Sequence, residues 1–304
     1  MRPGVSLLKN WIGLANRDRS HRRLFPRNVV LAALVSGGTS DMTTDPFYKA
    51  HWRNIEPDRM FAYRKGFGWD AATERLYRPL DISEGQTIAD FGCGPGKVAV
   101  ELARRVGPKG RVHAIDINAE FLEVTLENAA DAQVAERVTA HQSDGAALPL
   151  PDASLDRITA RNTIMYVDDP VTTLREFHRA LRPGGLAHAI EGDWYMMVAE
   201  PVEHDRWREF VKAASHACRN ADMGRKLFGA LAQAEFQDIE ISLTANPDTN
   251  GRLIGMIRNM AKYALESGAI DARRVENILQ EIEQAQADGT YLVVSPLFIA
   301  TGRK

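Results

Sequence analysis

The stretch IADFGCGPGK at residues 88–97 limits the possible folds of this 304-residue chain more than any other segment. A short β-rich run leads directly into three glycines spaced two apart, and helical patterning begins near Lys97. Glycine lets a backbone turn sharply and approach a ligand with no Cβ in the way, so this is a strand, a tight turn and a helix start. Further β-rich runs follow at residues 111–116, 137–142, 155–160, 186–191 and 239–243, most of them separated by helical stretches. The segments CGPG, GPKG, PLPD and RPGG punctuate the joints, RPGG standing before the fifth run. This alternation predicts an α/β fold with a doubly wound, mostly parallel sheet. The tail GTYLVVSPLFIATGRK follows a helical block, so it is expected to supply a last, antiparallel strand.

Three segments fall outside the alternation. Residues 43–80 are helical and aromatic, with Phe47, Tyr48, Trp52, Phe61, Tyr63, Phe67, Trp69 and Tyr77. Residues 246–290 insert two helices, and Leu253, Ile254, Met256, Ile257, Met260 and Ala264 share one broad face of the first. Trp207, Phe210, Val211 and Ala214 do the same in a further insertion at about 196–225. Together these segments are expected to form a helical lid. Residues 1–41 carry seven Lys or Arg against two Asp and read as a basic extension, disordered or non-native, ahead of Met42. An organelle-targeting peptide is the minority reading.

Composition excludes several classes of function. A net charge of −2 offers no broad positive field for a phosphate backbone, which argues against nucleic acid. Cys93 and Cys218 stand far apart without clustered histidines, which argues against a disulfide framework or a metal site. The longest apolar run, Val29 to Val35, is too short to span a bilayer. A cytoplasmic protein, monomer or homodimer, is the expectation.

In a doubly wound sheet, ligands bind beyond the carboxyl ends of the strands, where strand order reverses. Three acids fall at such ends: Asp90 before the glycine turn, Asp116 twenty residues beyond Gly96, and Asp144 after the third run. A carboxylate at Asp116 can accept hydrogen bonds from both hydroxyls of a ribose. Spacing alone leaves two cofactors open, since Gly94-Pro95-Gly96-Lys97-Val98-Ala99 also fits the GxGxxA pattern of a nicotinamide dinucleotide site. An acid beside the glycine turn and another at the third strand end weigh against a pyrophosphate.

Taken together, IADFGCGPG, VHAIDIN, SDGAALPLPDASLDRI and LRPGG resemble the successive motifs of class I S-adenosylmethionine-dependent methyltransferases. They are especially similar to the small-molecule enzymes related to the ubiquinone and menaquinone C-methyltransferases, over about residues 82–195. The resemblance implies a Rossmann-like, seven-stranded sheet with an antiparallel last strand. It also implies that Asp90, Gly92, Gly94 and Gly96 shape a loop around the methionine portion of S-adenosylmethionine. Asp116 would hold the ribose, Ile117 would line the adenine, and Asp144 would accept from the adenine amino group with Gly145 beside it. Asn162 would bring its backbone near the methionine amino group. The expected reaction is methyl transfer to a small, apolar or aromatic acceptor, with carbon slightly favoured over oxygen or nitrogen. A nicotinamide oxidoreductase and a non-catalytic S-adenosylmethionine-binding protein are the alternatives.

Candidates for contact with the acceptor, or for a general base, are Glu191 and Asp193 after the fifth strand and His51 and Tyr48 on the N-terminal helices. Cys93 reads as a small filler, and Asp168 and Asp169 before Pro170 as a helix start. Arg53, Arg59, Arg64 and Lys65 would suit a diphosphate on a prenylated acceptor, but a solvated helix face is the simpler reading.

Overall fold

The structure is a computed structural model and describes residues 45–66, 68–143 and 145–304. Expectations for residues 1–41, for Phe67 and for Asp144 therefore lie outside the described residues. In chain order the elements are α1 (Phe47–Arg53), α2 (Pro57–Lys65), α3 (Ala71–Tyr77), β1 (Thr87–Phe91), α4 (Lys97–Arg105), β2 (Arg111–Asp116), α5 (Ala119–Asp131), β3 (Val138–Gln142), β4 (Leu155–Arg161) and α6 (Pro170–Ala180). There follow β5 (Leu181–Gly192), β6 (Val198–Glu200), α7 (His204–Ala214), α8 (Met223–Gln233), β7 (Gln237–Thr244), β8 (Pro247–Asp248), α9 (Ile254–Glu266), α10 (Ala272–Asp288), β9 (Leu292–Val294) and β10 (Leu297–Arg303).

Seven strands form one sheet in the order β3-β2-β1-β4-β5-β10-β7. The first five are mutually parallel, and β10 lies antiparallel between β5 and β7. Strand order reverses at β1, between β2 and β4, so the turn leaving β1 opens at the switch point of the sheet. Successive side chains of a strand face opposite ways. Ile88 accordingly joins Leu102 and Leu122 in the cluster under α4 and α5, whereas Ala89 and Phe91 belong to the cluster on the other face, where Phe91 meets Phe177 of α6 edge to face.

The helix starts follow local chemistry. Asp169 caps α6 by accepting from the Val171 backbone N–H at 3.0 Å, with Pro170 in the first turn, and Asn118 caps α5 by accepting from Phe121 at 3.0 Å.

Two features depart from the sequence reading. RPGG does not precede the fifth strand. It lies inside β5 as an irregularity, where pairing with β4 jumps from Leu155↔Leu181 to Arg157↔Leu186, and Gly184 takes a φ of 78°. The tail likewise yields two strands, because Ser295-Pro296 separates β9 from β10. β9 pairs with β6 and β8 in a second, three-stranded sheet that short, isolated runs did not announce. Among the described residues no helix is long and apolar enough to cross a membrane.

Candidate functional site

A cavity of about 820 Å³ opens at the carboxyl ends of β1, β2 and β4, within the size range of small-molecule sites. Its floor is the glycine turn. Gly92, Gly94 and Gly96 all have positive φ, at 73°, 52° and 75°, where any side chain is strained. Their surroundings differ. A Cβ on Gly92 would lie 2.1 Å from the Thr163 hydroxyl oxygen, and one on Gly96 2.4 Å from the Thr125 methyl. A Cβ on Gly94 would meet nothing within 4 Å, because that face belongs to the cavity. Two glycines thus permit close packing, and the middle one leaves room for a ligand.

Two carboxylates flank the turn. Asp116 ends β2 and accepts from the Gly94 N–H at 2.8 Å through Oδ2 and from the Asn118 N–H at 2.9 Å through Oδ1. Each oxygen keeps a second lone pair. Burial raises its pKa to about 6, against the lowering effect of these backbone donors. Asp90 is 3% exposed and its Oδ2 has no hydrogen-bond partner. Burial, reinforced by the charge of Asp116, pushes its pKa to about 7. Arg161, at the end of β4, pulls the other way, and it also lowers the pKa of the Tyr77 hydroxyl against the effect of burial. Ile117, Gly145 and Asn162 line the same cavity, and Asn162 adopts a φ of 48° at the end of β4. Gly96 is not in the lining, since its role is the contact with α5 through Thr125.

The four residues expected at the acceptor end have different settings. Tyr48 lines the cavity and donates its hydroxyl to Asp168 at 2.5 Å, while Lys49 pairs with the same carboxylate. His51 is buried one ring behind the wall, against Trp52, Tyr166 and Tyr263. Its Nδ1 sits 2.6 Å from the Phe47 carbonyl oxygen, which can only accept, so Nδ1 carries the hydrogen. Burial lowers its pKa to about 4, leaving a neutral ring whose Nε2 lone pair is buried without a partner.

Glu191 and Asp193 are fully buried and outside the cavity lining. Glu191 Oε1 accepts from the Thr163 and Ile164 N–H groups at 2.9 and 2.7 Å, fastening the loop after β4, and burial lifts its pKa to about 7. Asp193 accepts from the Tyr195 N–H at 3.1 Å and from Arg225 Nη2 at 2.8 Å. Both carboxylates turn away from the cavity because backbone and guanidinium donors lie beneath the strand end.

The sequence reading did not single out Arg161, Tyr166, Tyr263 or Asp248, which line the cavity, and counted Tyr77 only among the lid aromatics. Its place at the carboxyl end of β4 was a usable signal for Arg161. None marked Asp248, whose carboxylate accepts from Leu253 N and the Tyr291 hydroxyl at 2.7 and 2.9 Å and so fixes the start of α9 over the cavity. The solvated-face reading fails for Arg59, which is buried between the rings of Trp52 and Tyr263.

Residues 88–185 match the methyltransferase-domain family. The chain is 34% identical to the methyltransferase GfsG of Streptomyces halstedii over 47% of its own length and 50% of that protein. It is 31% identical to the demethylmenaquinone methyltransferase of Geobacillus kaustophilus, over 44% of this chain and 57% of that one. It thus spans about half the length of these curated relatives. The fold is also that of phosphoethanolamine N-methyltransferase 2 from Haemonchus contortus, solved with S-adenosyl-L-methionine, with a TM-score of 0.57 at 19% identity over 84% of this chain and 60% of that one. With the sheet order and the glycine turn, these matches identify residues 88–185 as belonging to a methyltransferase domain of the class I, S-adenosylmethionine-dependent kind.

Proposed function

We propose that this chain transfers a methyl group from S-adenosylmethionine to a small aromatic or apolar acceptor, with carbon slightly favoured as the acceptor atom. The observation that carries the reading is the open face of Gly94 between the buried Asp90 and the half-buried Asp116. The cofactor is a nucleoside with a sulfonium charge and no phosphate, so acids suit it where they would repel a pyrophosphate. Asp116 would hold the ribose hydroxyls. Asp90, with an oxygen still seeking a donor, would face the methionine portion together with Gly92 and Gly94. Asp144 and Gly145 would meet the adenine beside Ile117, and the backbone of Asn162 the methionine amino group. The aromatic wall of Tyr48, Trp52, Tyr63, Tyr166 and Tyr263 supports a flat acceptor. The demethylmenaquinone relative supports carbon as the acceptor atom.

Bound S-adenosylmethionine would supply an electrophilic methyl group, displaced in line by the acceptor. The chain contributes alignment and the exclusion of water, with residues of α1, α2 and α9 together walling the acceptor end. Tyr48, which lines the cavity with its hydroxyl on Asp168, is the preferred general base. His51, one ring behind the wall, is the second candidate, its Nε2 lone pair bare and its ring held in one tautomer by Phe47. Glu191 and Asp193 act through the loops they hold. We further infer a cytoplasmic monomer or homodimer acting on metabolites rather than nucleic acid, which the net charge of −2 supports.

The test is calorimetry with S-adenosylmethionine and S-adenosylhomocysteine, followed by incubation with isotopically labelled methyl donor and fractionated cell extract. Micromolar binding and a labelled small molecule are expected. No heat with either compound, alongside tight binding of a nicotinamide dinucleotide, overturns the reading.

A further inference from the structure

Arg59 on α2 is a cation buried to 4% exposure whose hydrogen bonds are only half made. Its Nη1 donates to the Glu56 carboxylate at 2.9 Å and to the His51 carbonyl oxygen at 3.1 Å. Nε and Nη2 are buried and have no hydrogen-bond partner. These two nitrogens form the side-on edge of the guanidinium, where two parallel N–H bonds match the two oxygens of a carboxylate. A guanidinium does not escape burial by losing its proton, so the open edge remains charged. The indole Nε1 of Trp52 is a third buried donor without a partner, on a ring centred 4.9 Å from the guanidinium carbon. Tyr263 lies on another side at 5.7 Å. Both rings line the cavity, and the Tyr63 hydroxyl in the same wall lies close enough to feel the Arg59 guanidinium both as a charge and as a side-chain hydrogen-bond donor. Three donors without a hydrogen-bond partner, Arg59 Nε and Nη2 and Trp52 Nε1, therefore lie immediately behind the aromatic end of the cavity, the first two paired as one edge suited to an oxyanion.

The neighbouring cations are already engaged. Lys49 is held by Asp168, Arg53 by Asp45 at 2.6 Å, and Arg64 lies 3.8 Å from Glu127. Only Arg59 offers an unfilled edge among these four, which suits one negative charge and not the several charges of a diphosphate. Glu56, the single carboxylate on Arg59, is 63% exposed and touches only Nη1, so water weakens its effect on the buried edge.

Resting on the proposed methyl transfer, we propose that Arg59 and the Trp52 indole N–H recognise a single carboxylate on the methyl acceptor. The acceptor class is then an aromatic carboxylic acid. Its ring lies among Trp52, Tyr166 and Tyr263, and its carboxylate reaches between the first and last of these to the Nε and Nη2 edge. The assignment involves binding only and makes Arg59 a determinant of specificity.

The probe pair is 2-naphthoate and 2-naphthamide, near-isosteres that differ in charge, titrated by calorimetry into protein saturated with S-adenosylhomocysteine. The wild-type protein is expected to bind the acid at least about tenfold more tightly than the amide. Arg59→Met, which keeps the apolar stem, should abolish that preference, Arg59→Lys should keep part of it, and Trp52→Phe should reduce it. Equal binding of the two probes by the wild-type protein, or no binding of either, overturns the proposal even if a variant fails to fold. The heat of S-adenosylhomocysteine binding in the same wild-type samples reports on the methyltransferase reading separately.

Discussion

The carboxylate of Asp116 is hydrogen-bonded to the backbone N–H of Gly94 at 2.8 Å, so the end of β2 and the turn after β1 form one unit. The bond fixes the turn whose open face the cofactor would occupy, and it leaves lone pairs on Asp116 for a ribose. Asp116→Ala is expected to weaken S-adenosylmethionine binding by about 1–3 kcal/mol, the usual cost of losing hydrogen bonds to a charged acceptor. Unchanged affinity by calorimetry refutes the ribose assignment.

Affinity should depend on pH in one direction. With pKa values raised to about 6 for Asp116 and about 7 for Asp90, both are ionised at pH 8 and both are largely protonated at pH 5. The ionised forms accept more strongly from hydroxyls and alone carry the charge that favours a sulfonium, so binding lowers both pKa values and releases protons between them. Affinity should be flat above about pH 8 and fall as pH drops through 7 to 5, by more than about tenfold in all. Calorimetry in two buffers of different ionisation heat measures the protons released, and proton uptake would contradict the assignment.

The three glycines of the turn should respond differently. Gly96→Ala forces a Cβ to within 2.7 Å of the Thr125 Cβ at a φ of 75°, so the cost is expected to exceed about 2 kcal/mol and appear as a lower Tm. Gly94→Ala meets no neighbour within 4 Å and should cost only about 1 kcal/mol of backbone strain while abolishing cofactor binding. If Gly94→Ala binds S-adenosylmethionine normally, the turn is not the cofactor floor.

Glu191 offers a test of position against catalysis. Its pKa is raised from the ordinary 4.5 to about 7, so the folded state holds this proton more tightly than the unfolded chain. Its contribution therefore favours folding fully below about pH 4.5 and is lost as pH rises through 7. Glu191→Gln keeps an oxygen for the Thr163 and Ile164 donors and removes the buried charge. It is expected to raise stability at pH 8 by on the order of 1–2 kcal/mol with turnover largely retained. A hundredfold loss of kcat in a well-folded variant would make Glu191 the base and displace Tyr48.

How far the site could be read in advance depended on how local each signal was. The glycine turn was legible because a strand, a turn and a helix start follow one another within a few residues, and Asp116 because it closes the next strand of the same alternation. Glu191 was misjudged because its position at a strand end is local, whereas its engagement with Thr163 and Ile164 depends on the neighbouring strand. Arg59 was read as solvated because helix periodicity says nothing about a distant helix, and Tyr263 reaches it from an insertion two hundred residues away.

By itself the sequence determined the parallel core, the glycine turn and the acids beyond it, since hydrophobic period and glycine spacing act over a few residues and need no partner. Only the tertiary structure decided which carboxylates face the cavity and which hold loops, and which cation lies buried with an open edge. Those outcomes depend on groups far apart in the chain competing for the same donors and the same dry volume.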